Sequence, residues 1–594
     1  MRFENRIFSV IVSVLFFLHC LGGGEAKPFY GNLALLLDAP LSDLKYPIPL
    51  VQYTKFVPIP TIRPSVTGFP SQYSISPSLP AGISLDVTTG ALSGIPTESL
   101  PETEYTITAS NAKNSIQTTI RFQASVGIWQ NGAYIKAANA DIADYFGNTV
   151  AIDGDTIAVG AYQESSGQTT ITNGTTASSD NSADSSGAVY VYRRNGAVWA
   201  QEAYLKAPNA EAYDYFGYSL AISGDTLVVG AYLESSGDTT ITNGTTASAD
   251  NSAGGSGAVY VFRRSGANWV QEAYLKAPNA EAGDSFGYSV AIDGDTIAVG
   301  AFGESSSDTT ITNGTTASAD NSAASSGAVY VFRRIGTTWS QEAYLKASNA
   351  EAGDLYGYSV AIFGDTIAVG ANAESSNQIT ITNGPTSSAD NSKSESGAVY
   401  VYKRTGTAWT QEAYLKASNA SAGNWLGYSV AISGDTIVSG ATGESEGAAY
   451  VFVRGGTTWT QQRILKPVNP GSVNEFGNSL AISGDTIVVG SYWEGSNANQ
   501  IQNGITASTN NSLQSAGAAY VYQRTGTTWA QESYLKAKNV QTGDWFGMGI
   551  AISGDTILAG APQEDSGQTT ITQGTIQTWN EMKPNSGAVY IFNR

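Results

Sequence analysis

The chain has 594 residues, of which only 13% are charged, and its formal net charge at pH 7 is −20. A negative surface repels phosphate backbones, so we expect no nucleic-acid partner. The few charges, together with 65 glycines and 32 tyrosines, predict short strands joined by tight turns.

The chain has one histidine and one cysteine, His19 and Cys20, which both follow an N-terminal apolar segment. If that segment is cleaved, the mature chain has no imidazole and at most one sulfhydryl. This excludes Ser-His-Asp and Cys-His catalysis, and it excludes zinc or haem held by His or Cys. We therefore expect a protein that is not an enzyme and that has no such cofactor.

The N-terminus has the pattern of an export signal. Arg2 and Arg6 precede an apolar run, residues 7–18, which is too short to span a bilayer and has the length of a signal-peptide core. With Cys20 directly after it, the segment resembles a bacterial lipoprotein signal. The resemblance implies that residues 1–20 are a signal peptide ending in a lipidated Cys20 and that residues 21–45 are a tether.

That signal departs from the usual lipoprotein pattern, which favours Leu three positions before the Cys and a small residue just before it. Here Phe17 and His19 occupy those positions. The first interpretation places the protein on a bacterial outer membrane or cell surface, held only by its lipid anchor. The alternative is ordinary secretion after cleavage near Ala26.

Residues 46–126 are expected to form a small antiparallel β-sandwich, because short alternating segments are separated by Pro and Gly turns. The string LPAGISLD at residues 79–86 and the string TTGALSGIP at residues 88–96 carry a recognisable motif. They resemble an immunoglobulin-like domain common in bacterial surface proteins. Such domains imply a spacer.

Residues 127–594 contain seven copies of one repeat, marked by a Phe-Gly pair or a near variant. The pair begins at Phe146, Phe216, Phe286, Tyr356, Leu426, Phe476 and Phe546. A tryptophan recurs in step at Trp129, Trp199, Trp269, Trp339, Trp409, Trp459 and Trp529. Seven strand-rich units at this period predict a seven-bladed β-propeller, because a single unit cannot bury both of its faces.

Each repeat has the pattern of four strands, and the two ends of the array predict how it closes. In the second copy the strands are expected at residues 218–222, 226–231, 257–264 and 269–275. The last repeat stops after its third strand, whereas residues 128–136 have the sequence of a fourth strand. We expect that segment to complete the last blade, because closure removes the open sheet edges.

The string FG-x-S-[VL]-A-I-x-GDT, followed by GAVYVF, resembles FG-GAP repeats, the units of the integrin alpha-chain propeller and of many bacterial surface proteins. The resemblance implies an extracellular propeller that recognises a protein or a carbohydrate. Family members often carry a calcium loop between the first two strands. Here that connection is only a short turn such as Ser223-Gly224-Asp225, so calcium is not expected at that position.

A ligand is expected on the face that carries the connections between the second and third strands, because these loops are long in six repeats. The fifth repeat has only residues 442–447 there, which predicts a notch in a crown of loops. Four tryptophans outside the repeating set lie in these loops or in the blade-to-blade connections of the same face, and they are the candidate ligand-binding residues. They are Trp425, Trp493, Trp545 and Trp579. The alternative is that each tryptophan packs its own loop.

Recurring carboxylates in the long loops are weak candidates for calcium ligands. The candidates are Glu164, Glu234, Glu304, Asp180, Asp250 and Asp320. The plainer interpretation is that they accept hydrogen bonds from loop amides.

Three functions fit the sequence. The first is an exported, lipid-anchored adhesion protein whose propeller binds an extracellular protein or glycan. The second is a structural surface protein without a discrete ligand, which the near-identical loops favour. The third, a polysaccharide-active enzyme with paired carboxylates, lacks the asymmetry that two unusual acids would give.

Overall fold

The computed structural model describes residues 39–48, 50–54, 59–96, 100–125, 127–469, 474–574 and 581–594. Every regular element in these ranges is a β-strand, which confirms the all-β prediction for them. The strands form two compact units that divide between Ile128 and Trp129. Within the same ranges, no helix has the length and apolarity that a membrane crossing needs. The predicted signal, including Cys20, lies outside the described residues.

The described part of the first unit contains nine strands. They are β1 (Ser42–Lys45), β2 (Leu50–Thr54), β3 (Ile59–Ile62), β4 (Ser65–Thr67), β5 (Gln72–Ser76), β6 (Ile83–Leu85), β7 (Leu92–Gly94), β8 (Leu100–Ser110) and β9 (Ser115–Ser125). The sheet order is β2-β9-β8-β5 in one sheet and β3-β7-β6 in a second, with β1 paired to β4. Apolar side chains such as Leu92, Ile107 and Phe122 are buried in a common core, as in an immunoglobulin-like domain.

The predicted tether, residues 21–45, differs from the structure at its end. Ser42–Lys45 forms β1, and the side chains of Leu41 and Leu44 are buried in the core of the first unit. A tether would leave both leucines in water, so their burial explains why the chain becomes regular before residue 46. Residues 21–38 are outside the described ranges.

The second unit is built from seven antiparallel sheets, numbered here 1 to 7 in chain order. The first strands are Thr149–Asp153, Ser219–Ser223, Ser289–Asp293, Ser359–Phe363, Leu426–Ser433, Leu480–Ser483 and Ile550–Ser553. The second strands are Thr156–Ala161, Thr226–Ala231, Thr296–Ala301, Thr366–Ala371, Thr436–Ala441, Thr486–Ser491 and Thr556–Ala561. The third strands are Ala188–Asn195, Ala258–Ser265, Ala328–Ile335, Ala398–Thr405, Ala448–Gly455, Ala518–Thr525 and Ala588–Asn593.

The fourth, outer strand completes each sheet. These strands are Val198–Leu205, Asn268–Leu275, Thr338–Leu345, Ala408–Leu415, Thr458–Leu465 and Thr528–Leu535 in sheets 1 to 6. In sheet 7 the outer strand is Gln130–Ile135, which pairs antiparallel with Ala588–Asn593. The two ends of the repeat array therefore share one sheet.

The first strands of the seven sheets lie side by side around an apolar cavity, which they line with Val, Ala and Ile. Each first strand contacts those of the two neighbouring sheets, and the first strand of sheet 7 contacts that of sheet 1. The approach is close at glycines. A Cβ on Gly230 would lie 2.1 Å from the carbonyl oxygen of Gly287 in the next sheet, and Gly560 and Gly147 make the same approach between sheets 7 and 1.

The long connections after the second strand do not form the separate crown of loops that the sequence predicted. In six sheets each folds back and adds a two-residue fifth strand to the outer strand of its own sheet. These strands are Thr172–Asn173, Thr242–Asn243, Thr312–Asn313, Thr382–Asn383, Gln502–Asn503 and Thr572–Gln573. The described part of sheet 5 has four strands, because its connection is too short to turn back.

The fifth strands also link neighbouring sheets. The side-chain amide of Asn243 accepts a hydrogen bond from the backbone N–H of Trp339 in sheet 3 (2.7 Å) and donates one to its carbonyl oxygen (3.1 Å). The indole of Trp339 in turn donates to Glu272 of sheet 2 (3.0 Å). Both contacts recur around the array, so the repeating tryptophans join one sheet to the next.

Candidate functional site

Three positions of each repeat meet at one edge of each sheet, where the first strand begins and the second strand ends. The position before the Phe-Gly pair holds Tyr145, Tyr215, Ser285, Leu355, Trp425, Glu475 and Trp545. The position after the pair holds Asn148, Tyr218, Tyr288, Tyr358, Tyr428, Asn478 and Met548. The position after the second strand holds Tyr162, Tyr232, Phe302, Asn372, Thr442, Tyr492 and Pro562. We call these 21 residues the belt.

Aromatic rings of the belt contact one another from sheet 1 to sheet 5. The ring centroids of Tyr218 and Tyr232 are 4.6 Å apart, and those of Tyr288 and Phe302 are also 4.6 Å apart. Tyr288 contacts Tyr358 at 5.1 Å, which continues the row into sheet 4. All of these side chains are half-buried, so one part of each ring is held by its neighbours while another part is open.

A second aromatic cluster joins sheets 6 and 7. The ring of Tyr492 lies 5.7 Å from Trp493 and 5.5 Å from Trp545. Trp493 is 39% exposed, the largest exposure of a tryptophan in the described residues. The structure thus brings together two of the four tryptophans that the sequence predicted as ligand-binding residues.

The other two predicted tryptophans are not in this cluster. Trp425 donates its indole hydrogen to Glu395 of sheet 4 (2.9 Å). A Cβ on Gly443 would lie 3.2 Å from its ring, so Trp425 lies on the short connection of sheet 5. That contact agrees with packing on a loop, although the side chain is half-buried and retains an open part. Trp579 lies outside the described residues.

The residue before each Phe-Gly pair has a left-handed backbone, with φ between 53° and 60° in all seven sheets. None of the seven is a glycine, although non-glycine residues adopt this conformation at a cost. Hydrogen bonds hold it, as where the N–H groups of Tyr215 and Phe216 donate to the carbonyl oxygens of Ser185 and Ser186. The same strained turn therefore presents a different side chain in most sheets.

The belt is also a place where the seven near-identical repeats differ. The position before the Phe-Gly pair holds Tyr, Tyr, Ser, Leu, Trp, Glu and Trp in order, whereas the loop glutamate and the lysine after the outer strand are present in every repeat. This contrast can be read from the repeats alone, and it is the signal that could have located the belt before the structure.

Unpaired polar atoms lie among the aromatic rings on the side of sheets 4 to 6. Within the described ranges, Asn372 Oδ1, Thr442 Oγ1 and Asn478 Oδ1 are buried and have no hydrogen-bond partner. Glu475 is half-buried on the same side, and burial raises the pKa of its carboxyl. Buried polar atoms are normally paired, so this side of the belt differs from the well-bonded clusters elsewhere in the described sheets.

The glutamates predicted as weak calcium ligands lie instead in a buried cluster that recurs in every sheet. Glu234 accepts hydrogen bonds from Lys276 (3.1 Å) and the backbone N–H of Ser236 (3.1 Å) with one oxygen, and from Tyr274 (2.9 Å) and Asn209 (3.1 Å) with the other. The side chains of Lys276 and Glu234 are 0% and 2% exposed. Burial lowers the pKa of Lys276, and the charge of Glu234 opposes that shift.

The ion pair of this cluster, which we call the Glu–Lys cluster, recurs in all seven sheets, but in sheet 5 it is partly exposed and Ile464 replaces the tyrosine. Its ion pairs are Glu164–Lys206, Glu234–Lys276, Glu304–Lys346, Glu374–Lys416, Glu494–Lys536 and Glu564–Lys136, with Glu444–Lys466 in sheet 5. Glu164, Glu234 and Glu304 are therefore already fully bonded.

The loop aspartates hold turns within their loops. Asp180 accepts hydrogen bonds from the backbone N–H of Gly167 and the hydroxyl of Ser182, both at 2.8 Å. Asp250 and Asp320 make the same kinds of contact. Across the described residues, no three His, Cys, Asp or Glu side chains are grouped closely enough to hold a metal ion. Calcium binding by these six carboxylates stays a prediction.

We predict that removing one charge of a Glu–Lys cluster is strongly destabilising only where the cluster is buried. Glu234→Gln leaves the buried ammonium of Lys276 without its counter-charge, which should lower the free energy of unfolding by about 3 kcal/mol. Glu444→Gln is the matched control, because Lys466 is 34% exposed, and it should cost less than about 1 kcal/mol. Chemical denaturation of both variants measures the difference. Equal losses would contradict this account of burial.

A second set of buried acids precedes the belt. Asp284 is 5% exposed, and its carboxylate accepts a hydrogen bond from the backbone N–H of Glu281 (2.8 Å). Burial raises the pKa of Asp284 to about 7, and it raises the pKa of Asp144 to about 8. Sheets 5 and 6 have the neutral amides Asn424 and Asn474 at this position.

We predict that Asp284→Asn stabilises the protein in a pH-dependent way. The folded protein retains the Asp284 proton up to pH of about 7, whereas the unfolded chain loses it near the ordinary pKa of 3.8. Stability is therefore lost as pH rises between these values. The variant should be more stable than the wild type by about 4 kcal/mol at pH 8 and nearly equal to it at pH 4.

Denaturant unfolding at the two pH values measures this effect, and Asn424→Asp provides the reverse change in sheet 5. That variant should acquire the same loss of stability with rising pH. A difference between Asp284→Asn and wild type that does not change with pH would show that the carboxyl is ionised in the folded protein.

Comparison with known families matches both units. The FG-GAP repeat family matches seven stretches of the second unit: residues 129–192, 199–262, 269–332, 339–402, 409–452, 459–522 and 529–592. The description "Putative Ig domain" fits residues 46–127. Together the seven repeats cover more than half of the chain. No curated protein matches it.

The solved structures that resemble this chain have low sequence identity and low structural similarity to it. TolB from Acinetobacter baumannii is 9% identical over 74% of this chain and 79% of its own, with a TM-score of 0.31. A quinonprotein alcohol dehydrogenase-like protein from Bacteroides thetaiotaomicron is 9% identical over 82% of this chain and 95% of its own, with a TM-score of 0.28. The titin M3 domain is 18% identical over 14% of this chain and 96% of its own, with a TM-score of 0.11. Such low scores say nothing about function.

Proposed function

The chain belongs to the FG-GAP repeat family, and from that premise we propose that its second unit is a closed seven-bladed β-propeller that binds an extracellular ligand. The contact between the first strands of sheets 7 and 1 supports closure, as does the pairing of Gln130–Ile135 with Ala588–Asn593. A closed array leaves no free edge at its ends. The scaffold is then rigid enough to hold a binding face.

The ligand binds at the belt. The observation that carries this proposal is the contrast between repeats: the buried clusters are nearly uniform, whereas the belt residue before each Phe-Gly pair, half-buried in six of the seven sheets, varies in side chain while its backbone stays in one strained conformation. A purely structural position would be expected to repeat with the rest of the sheet. Varied side chains on a constant scaffold are instead typical of recognition.

A glycan is the ligand that the belt fits best. Open faces of Tyr492, Trp493 and Trp545 offer apolar surfaces for the flat face of a sugar ring, as aromatic side chains do elsewhere. Glu475 is half-buried at a belt position on the side of sheets 4 to 6, where its carboxyl oxygens can accept hydrogen bonds from sugar hydroxyls. A protein ligand is the alternative outcome of the test below.

Export and anchoring complete the proposal. We propose that the protein acts outside the cytoplasm, either as a lipid-anchored surface protein or secreted, and that it binds rather than catalyses; the signal pattern before Cys20 supports export. A structural surface protein without a ligand is the second candidate. The observation that favours it is that much of each long loop is bonded within the molecule, as where Asn243 links sheets 2 and 3.

We predict that removing an aromatic side chain of the belt weakens ligand binding. The full chain is screened against glycans and matrix proteins, and the affinity for the best ligand is measured by calorimetry. Trp545→Ala should weaken it about 10- to 100-fold, as for a buried aromatic anchor. Phe363→Ala is the control, because Phe363 is 48% exposed in the turn at the opposite edge of sheet 4, and it should change nothing. Failure of the folded protein to bind any ligand would favour the structural role.

We predict separately that Cys20 anchors the protein. Cys20→Ser should move the protein from the membrane fraction to the soluble exported fraction, because a lipid chain contributes about 0.8 kcal/mol per buried CH₂. Immunoblots of both fractions measure this, with protease treatment of intact cells to test surface exposure. A wild-type protein that is already soluble would support secretion, and one that resists protease until lysis would exclude the surface.

A further inference from the structure

The outer strand of sheet 5, Thr458–Leu465, has an edge that the other six sheets cover. In sheet 2, Thr242 and Asn243 pair with Tyr274 and Ala273 of the outer strand, and the N–H of Gly244 donates to the carbonyl oxygen of Glu272 (2.7 Å). No fifth strand lies on Thr458–Leu465 in the described residues. The backbone groups of Gln462 and Ile464, the counterparts of Glu272 and Tyr274, therefore lack the partners that a fifth strand supplies in sheet 2.

Exposure follows from the missing strand. Gln271, Ala273 and Tyr274 of sheet 2 are 5%, 0% and 1% exposed. Their counterparts Gln461 and Ile464 are half-buried, and Arg463 is exposed. An open edge with a partly exposed isoleucine is a site where another strand can add.

The groups that hold a fifth strand are retained in sheet 5. Gln271 donates its side-chain amide to the carbonyl oxygens of Gly244 (3.3 Å) and Thr246 (3.0 Å), in the loop that it covers. Gln461 has the same place in sheet 5, but its amide bonds to Ser418 instead (2.9 Å). The amide donor that holds the loop in sheet 2 is therefore also present in sheet 5, although sheet 5 lacks that loop.

In the described part of the chain, sheet 6 lacks a side-chain contact that sheet 3 receives from the sheet before it. In sheet 2 the side chain of Asn243 bonds to both backbone groups of Trp339 in sheet 3. Trp529 of sheet 6 is the counterpart of Trp339, and within the described ranges no side chain of sheet 5 makes this link to its backbone. An incoming strand with an asparagine at that place would supply it.

We propose that this edge binds an extended peptide segment of another protein by strand addition. The fifth strands of the chain define the chemistry of the segment: an isoleucine, then Thr-Asn-Gly in four sheets, Gln-Asn-Gly in sheet 6 and Thr-Gln-Gly in sheet 7. A second copy of the same edge is a poor occupant, because antiparallel pairing of the two edges would bring the cations of both Arg463 side chains close together. The loops of a second copy are already bonded to their own sheets.

The test uses a labelled peptide with the sequence of residues 238–246, DTTITNGTT, and the full chain. We expect saturable binding measured by fluorescence anisotropy, at least ten-fold weaker for the same peptide with Asn243→Ala. Amide hydrogen exchange at residues 462–464 should slow when the peptide is bound. Failure to bind at a peptide concentration of about 1 mM, the weakest affinity of interest, would overturn the proposal.

Two variants locate the site. Replacing residues 442–447 with residues 372–397 of sheet 4 gives sheet 5 its own fifth strand and should abolish peptide binding. Because that graft alters a loop and its folding, Gln461→Ala serves as a milder variant and should weaken binding several-fold. Binding unchanged by both would show that the peptide lies elsewhere, and concentration-dependent dimerisation that the peptide does not reverse would favour a second copy.

This site is independent of the belt. Trp545→Ala should leave peptide binding unchanged, and Gln461→Ala should leave glycan binding unchanged. Loss of both activities in either variant would contradict the separation of the two sites.

Discussion

The buried ion pair between a loop glutamate and the lysine after the outer strand is the interaction on which the rest of each sheet depends. Its two charges are almost fully withdrawn from water, which is tolerable only because every charged atom has several partners. Glu234 is bonded at once to the start of its own loop, to the outer strand and to the connection from the preceding sheet. One side chain therefore sets where the second strand ends and where the loop begins.

In sheet 5 the ion pair is partly exposed to solvent, and the sheet differs from the others. Ile464 replaces the tyrosine that bonds to the glutamate in most other sheets, and Lys466 becomes partly exposed. The same shortening that opens this ion pair removes the fifth strand and allows Trp425 to lie on Gly443. The short connection of sheet 5 therefore makes this sheet differ from the others at its ion pair, at its outer strand and at the belt.

The repeats divide their residues between two tasks. Buried positions such as Glu234, Lys276 and Trp339 are repeated because each must match a fixed neighbour in the next sheet or loop. The residue before each Phe-Gly pair is half-buried in six of the seven sheets, so the scaffold tolerates Tyr, Ser, Leu, Trp or Glu on the same left-handed turn. This freedom lets a symmetrical array present an asymmetrical surface.

The sequence by itself determined the all-β class, the seven repeats and the position of the four main strands, because strand periodicity and turn residues are local signals. Only the tertiary structure decided the rest. The two-residue fifth strands have no period to read, and a loop glutamate such as Glu164 looks exposed until a lysine more than 40 positions away in the chain meets it. Trp493 and Trp545 come together for the same reason: strand pairing and sheet packing, not sequence spacing, bring their loops into contact.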